Sequence, residues 1–365
     1  MLNRFRYKYD IFNTPDFNQE RSLSDRYYIN LLSNSMKVTG DIFPNIKDNI
    51  DKILLNLNID DDFQFFITSE NTTPNAHCLT INTNSALVVI HSRLVDLLSD
   101  VELMFIIGHE IGHHYYKHSH ILNSDNLDTT SQYLLLDKQR KMELSCDRMG
   151  LICVKDFDVA ARAILKIVSG LGDKHIKNNF QSYLAQLKEL KKLGMPDEKD
   201  KTHNSWLLRM QALKLFSKSH EYNQYINNNN GDYTQDEVDE MINTGMIKIT
   251  GIDPNKILKI KYRTYISFII ADILEEDLQF TSSHEEILAK NIDNETFNKL
   301  IKYMSGTNIK NFKIKIQGLI KEISLLPDES KTTICDEVWD VVKLCDNEES
   351  TQKIFEEFKK RIDIK

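Results

Sequence analysis

Apolar residues along this chain recur mostly at spacings of three and four, with one interval in which they alternate or run together. Residues 24–36 read as an amphipathic helix capped at Ser24 or Asp25. Residues 41–57 read as a second, with Ile42, Ile46, Ile50, Ile53, Leu54 and Leu57 on one side. Both helices are expected to pack in front of a sheet. The sheet signals come next, at 63–67, 76–81 and 86–90, and the last two flank Asn82-Thr83-Asn84-Ser85, a hairpin turn. Pro74 is tolerated only at a strand start or edge, so this hairpin is expected to leave one edge free, onto which an extended peptide could add. From Ser99 the helical period returns. Ser99-x-x-Glu102 is a capping box, and the run from Val101 to Ile107 is apolar almost all round, as in a buried helix. Residues 135–154, 156–193 with a break at Gly170-Leu171-Gly172, and 206–218 follow as helices.

This pattern divides the chain. Residues 1–23 are polar without a clear period and read as an extension. Residues 222–235, with four consecutive asparagines and Gly231, cannot build a core and read as a linker. Between them, residues 24–221 form one domain. Residues 236–365 carry amphipathic helices at 257–276, 283–292, 294–304, 312–325, 332–344 and 350–361, an all-α bundle. The fold class expected is α+β, a mostly helical domain with a small antiparallel sheet followed by that bundle.

Composition changes this picture little. At 41% hydrophobic and 27% charged, the chain is globular in type. A net charge of −8 supplies no basic footprint, which argues against a nucleic-acid partner. Five cysteines without CxxC spacing argue for free thiols in a reducing compartment. No apolar leader core and no run near the ~18 residues of a membrane span is visible, so a soluble cytoplasmic protein is expected.

The chemistry is concentrated in the 99–120 stretch. His109-Glu110-Ile111-Gly112-His113 puts two imidazoles at i and i+4 on one helix face with a carboxylate beside them. Two imidazoles can each give a nitrogen to zinc, and the carboxylate can take a proton from the ion's water. Gly108 and Gly112 each cost about 1 kcal/mol against alanine inside a helix, which makes sense if something must approach closely there, such as a strand or a substrate backbone. Such a site still needs a third ligand. Glu143, on the next predicted helix, can supply a carboxylate, and Asp147 one turn on can hold a ligand imidazole by its other nitrogen. His114 and His118 form a second i, i+4 pair, without a glutamate after the first histidine. Alternatively, the late histidines only soften a helix C-terminus.

GHEIGHHYYKHS followed by ELSCDRMGL resembles the CAAX prenyl protease and HtpX-type family of zinc metalloendopeptidases, a gluzincin group, over roughly residues 24–217. The resemblance implies one zinc per chain held by His109, His113 and Glu143, with Glu110 as general base and Asp147 behind the ligands. Cys146 stands where alanine is usual. Thr202-His203-Asn204 with Arg209 resembles the family's late His-Pro and arginine, which makes His203 the candidate oxyanion donor and Arg209 the reserve, or else a structural partner of Asp147 or Glu143. Asn75-Ala76-His77 resembles its substrate edge strand. The implied activity is hydrolysis of peptide bonds in a protein or peptide. The alternative is a non-catalytic, zinc-stabilised protein whose C-terminal bundle, which faintly resembles TerB-like domains, recruits a partner.

Overall fold

The computed structural model describes residues 2–7, 21–69, 73–118, 129–193, 204–227, 230–274, 282–324, 326, 328–344 and 348–363. The chain divides into two compact units. The first contains most of the chain up to Ile252, and the second contains 253–365 with two short stretches from earlier in the chain.

The first unit is built on a four-stranded sheet of order β1-β2-β4-β3. Its strands are β1 (Met36–Lys37), β2 (Asp62–Thr68), β3 (Ala76–Asn82) and β4 (Ser85–His91). The β3–β4 hairpin is antiparallel as expected, with Cys78 opposite Val88. The sheet as a whole is mixed, because β4 inserts between β2 and β3 and runs parallel to β2 with Phe65 opposite Val88. The hairpin therefore docks through its second strand, which leaves β3 as the sheet edge. Strand side chains alternate between faces. Phe65, Ile67, Ala86, Val88 and Ile90 enter the main core. Phe66, Leu87 and Val89 enter a smaller cluster with Leu31 of α1 (Arg21–Asn34). Both faces of β4 are thus covered, and its side chains from Ala86 to Ile90 are at most 1% exposed. The two leading helices lie on opposite faces of the sheet: α2 (Pro44–Leu57) gives Ile46, Ile50, Ile53 and Leu57 to the main core, while α1 serves the smaller one.

Six more helices follow the hairpin closely: α3 (Ser92–Leu97), α4 (Asp100–Tyr115), α5 (Thr129–Val154), α6 (Phe157–Ser169), α7 (Phe180–Leu193) and α8 (Trp206–Phe216). Helix α4 starts on the expected capping box, Ser99 Oγ accepting from Glu102 N. Glu102 is fully buried and also pairs with Lys166 (2.8 Å) and Arg162 (2.7 Å) of α6, which ties the start of α4 to its neighbour.

Two segments depart from the pattern-based expectation. The first residues are core rather than extension: Leu2, Phe5 and Tyr7 are buried, Phe5 packing edge-on to Phe216 and Tyr225. Three apolar side chains in and just after one 3-10 turn, Leu2–Phe5, are too few to mark a period. The unit boundary also falls between Ile252 and Asp253 rather than within 222–235. After α9 (His220–Tyr225), helix α10 (Gln235–Thr250) buries Val238, Ile242 and Met246 in the first unit's core.

The second unit is all-helical, as expected. Its helices are α11 (Pro254–Leu274), α12 (Ser282–Asn291), α13 (Asn294–Ser305), α14 (Ile309–Ser324), α15 (Asp328–Val342) and α16 (Glu348–Arg361). Helix α11 is central, touching α13, α14, α15 and α16, with Tyr265, Ile269 and Ile270 buried. No helix among the described residues is long and apolar enough to cross a membrane.

Candidate metal centre

The site begins with the glycines. A Cβ on Gly108 would stand 2.5 Å from Cys153 Sγ, and one on Gly112 would stand 3.3 Å from the Cys146 Cα. On α5, a Cβ on Gly150 would stand 2.5 Å from the Phe105 carbonyl. Three glycines thus let α4 and α5 approach almost backbone to backbone. What approaches Gly108 and Gly112 is the neighbouring helix α5, in place of the strand or substrate backbone expected from the sequence. It carries Glu143 and Asp147, two turns and one turn before Gly150, onto the His109 face.

There the donors converge. His109 Nε2 and His113 Nε2 are 3.3 Å apart. Glu143 reaches both, with Oε2 3.5 Å from His109 Nε2 and Oε1 3.5 Å from His113 Nε2. Ligands held tetrahedrally at about 2.0–2.1 Å from one ion stand roughly 3.4 Å from each other, so this triangle has the size of three zinc ligands. The charge balance fits as well. Burial opposes charge on His109, yet hydrogen bonds to Asp147 and Glu143 raise it to about 10. Burial also opposes charge on Glu143, but His109 and Arg209 hold its carboxyl well below the usual range. The carboxylates of Asp147 and Glu143 thus favour positive charge beside these imidazoles. A second grouping shares the two histidines: the ligand atoms of His109, His113 and Cys146 all lie within 4.8 Å of one another.

Behind the donors, Asp147 Oδ1 stands 3.0 Å from His109 Nδ1, which points Nε2 at the cleft. Arg209 donates to Asp147 through two nitrogens, at 2.8 and 2.6 Å, and lies 3.4 Å from Glu143 Oε2. Its guanidinium sits 4.1 Å over the Trp206 ring. Arg209 is therefore the structural partner of both carboxylates, and its fork is already occupied. His203 lies outside the described residues. Its neighbour Asn204 is buried and donates to the Arg140 carbonyl at 3.2 Å, fastening the start of α8 to α5.

Glu110 is 6% exposed, and burial pushes its carboxyl up to about 7, with Glu143 adding and His109 opposing. It lines a cleft of about 470 Å³ together with His109, His113, Glu143 and Arg209. Asn75, Ala76 and His77 line the same cleft. The edge strand and the candidate donors thus border the same cleft. The His77 side chain meets Tyr27 Oη of α1 at 2.7 Å.

The second histidine pair is split. His114 turns to the sheet, 3.0 Å from Thr80 Oγ1 and edge-on to Phe63. His118 turns back to His113, their Nδ1 atoms 3.3 Å apart. Cleft residues not anticipated from the sequence include Gln139, Met142 and Trp206. Gln139 is one turn before Glu143, and Trp206 is three residues before Arg209. Helical spacing from the recognised residues was the available signal for both.

Residues 42–137 match Peptidase family M48. The matched stretch includes α4 and ends before Glu143. A plastoglobule-localized metallopeptidase 48, chloroplastic, of Arabidopsis thaliana is 26% identical over 193 residues, covering 46% of this chain and 56% of that protein. The chain therefore spans little more than half the length of this curated relative. No solved structure matches the chain.

Proposed function

We propose that this relative of Peptidase family M48 is a zinc-dependent metalloendopeptidase acting on protein or peptide substrates. The observation that carries the reading is the triangle of His109, His113 and Glu143, with sides of 3.3, 3.5 and 3.5 Å, on the wall of a cleft that Glu110 and the β3 edge also line. We assign His109, His113 and Glu143 as the holders of one zinc ion per chain. Bound there, zinc supplies a Lewis acid that polarises a carbonyl and brings the pKa of water to about 7.

The chain's own residues do the rest. Glu110 accepts the proton of the attacking water and returns it to the leaving nitrogen, so that one water and one peptide bond give a carboxylic acid and an amine, which part as carboxylate and ammonium once the acid's proton has moved to the amine. Asp147 orients His109, and Arg209 holds Asp147 and Glu143 ionised. With the Arg209 fork engaged by these carboxylates, we assign His203 as the donor to the developing oxyanion. The substrate adds to β3 at Asn75, Ala76 and His77 as an extended strand, reading backbone. Cys78, Cys146, Cys153 and Cys335 are free thiols, which supports a reducing, cytoplasmic setting. We assign to the C-terminal unit the recruitment of a regulatory partner.

The second reading is a structural zinc held by His109, His113 and Cys146, which the 4.8 Å grouping favours. Glu110→Gln separates the two. The catalytic reading predicts unchanged zinc content and cleavage of an unfolded protein slowed at least ~100-fold. Equal rates for the variant and the wild type would remove Glu110 from the chemistry.

A further inference from the structure

His118 is five residues after His113, and a continuing helix would carry it to a different face. Instead α4 ends in a left-handed turn. Lys117 has φ 55°, Lys117 N donates to the His114 carbonyl at 2.9 Å, and His118 N donates to the His113 carbonyl at 2.8 Å. These two bonds form the Schellman arrangement. It folds the chain back so that the His118 ring lies across the outer edge of the His113 ring, centroids 5.3 Å apart and planes at 77°. The ring is nearly enclosed. Tyr116 lies 5.6 Å from it at 31°, Cys146 Sγ is 3.4 Å from its Nδ1, and the residue is 7% exposed.

We propose that His118 is the positioning residue of His113, as Asp147 is of His109. The inference rests on the reading of His113 as a zinc ligand. To offer Nε2 to an ion, His113 must carry its proton on Nδ1, and that Nδ1–H needs an acceptor. His118 Nδ1, at 3.3 Å, is in place to accept it. The two ligand imidazoles are then fixed by different chemistry. A carboxylate, itself clamped by Arg209, holds His109. A neutral imidazole, seated by Tyr116 and Cys146, holds His113. Cys146 on this account is the seat of His118 and not a zinc ligand.

The test measures zinc affinity of the full chain by competition with a chromophoric chelator, in wild type, His118→Leu, His118→Asn and Cys146→Ala. Melting of the chelator-treated proteins and the visible spectrum of the cobalt-substituted ones are recorded alongside. His118→Leu removes the acceptor and is expected to weaken zinc binding 10- to 100-fold and to shift the cobalt bands. His118→Asn restores an acceptor oxygen and recovers most of the affinity. Cys146→Ala removes no thiolate-to-cobalt charge-transfer band, because the wild type has none. Wild-type affinity in His118→Leu overturns the inference. So does an equal loss in the Leu and Asn variants that follows an equal drop in metal-free melting temperature, since that is packing alone. A thiolate-to-cobalt charge-transfer band lost in Cys146→Ala overturns it too, by making Cys146 a ligand. A wild-type chain that takes up no zinc overturns the ligand reading beneath it, an outcome distinct from the other three.

Discussion

Arg209 shows how much of this centre depends on charges that never meet solvent. Asp147, Glu143 and Arg209 are all buried, and the guanidinium neutralises carboxylates that would otherwise be costly to ionise there. Arg209→Met is therefore expected to destabilise the metal-free protein by about 3–5 kcal/mol, the range for breaking a buried ion pair from one side. Urea denaturation in chelator measures this, and a loss below ~1 kcal/mol would mean that the carboxylates are protonated or otherwise paired. Arg209→Lys is expected to recover little, because a point charge cannot reproduce the two-nitrogen contact. At this scale the sequence was informative where spacing encodes geometry. His109 and His113 share a helix face by arithmetic, and Glu143 and Asp147 share the next. His118 was not legible as the neighbour of His113, because its placement depends on one left-handed residue, Lys117, that no periodicity marks.

Among the elements, the crossing of α4 and α5 decides the site. Gly245, within α10, has open space where a Cβ would go, whereas Gly150 meets the Phe105 carbonyl. Gly245→Ala is expected to stabilise the protein by up to about 1 kcal/mol, the ordinary gain from alanine within a helix. Gly150→Ala is expected to cost about 1–3 kcal/mol by overpacking and to weaken zinc binding as the helices part. Thermal melts of the two variants with and without zinc check the contrast, and stabilisation by both would show that the crossing is loose. The capping box at Ser99, the β3–β4 hairpin and the edge position of β3 were all readable, because turn chemistry and Pro74 are local signals. The parallel pairing of β2 with β4 was not, since a strand's neighbour across a sheet is set by packing on both faces. Helix α10 was missed because the asparagine run before it suggested a boundary. The cap at Thr234 and the buried stripe of Val238, Ile242 and Met246 instead return that segment to the first core.

For the molecule as a whole, every described residue assigned to the chemistry belongs to the first unit, and the second has its own core. A chain ending at Ile252 is expected to keep its zinc and its cleavage of an unfolded substrate, as zinc analysis and a gel-based assay would check. Loss of zinc on that truncation would show that the unit boundary cuts through the site's support. A chain ending before Gln235 is expected to fare worse. It loses Asp239, whose carboxylate pairs with the buried Arg148 of α5, and the carbonyl that accepts from Tyr7 Oη at 2.8 Å. A break placed by composition alone, at the asparagine run, would thus have removed part of the core behind α5.

In the proposed site Glu143, and not Cys146, completes the ion's holders with His109 and His113. Metal analysis of purified wild type, Glu143→Ala and Cys146→Ala tests it most directly. One zinc per chain is expected in the wild type, with zinc retained in Cys146→Ala and lost in Glu143→Ala. Zinc kept in Glu143→Ala and lost in Cys146→Ala would contradict it and leave the chain with a thiolate-held, structural ion.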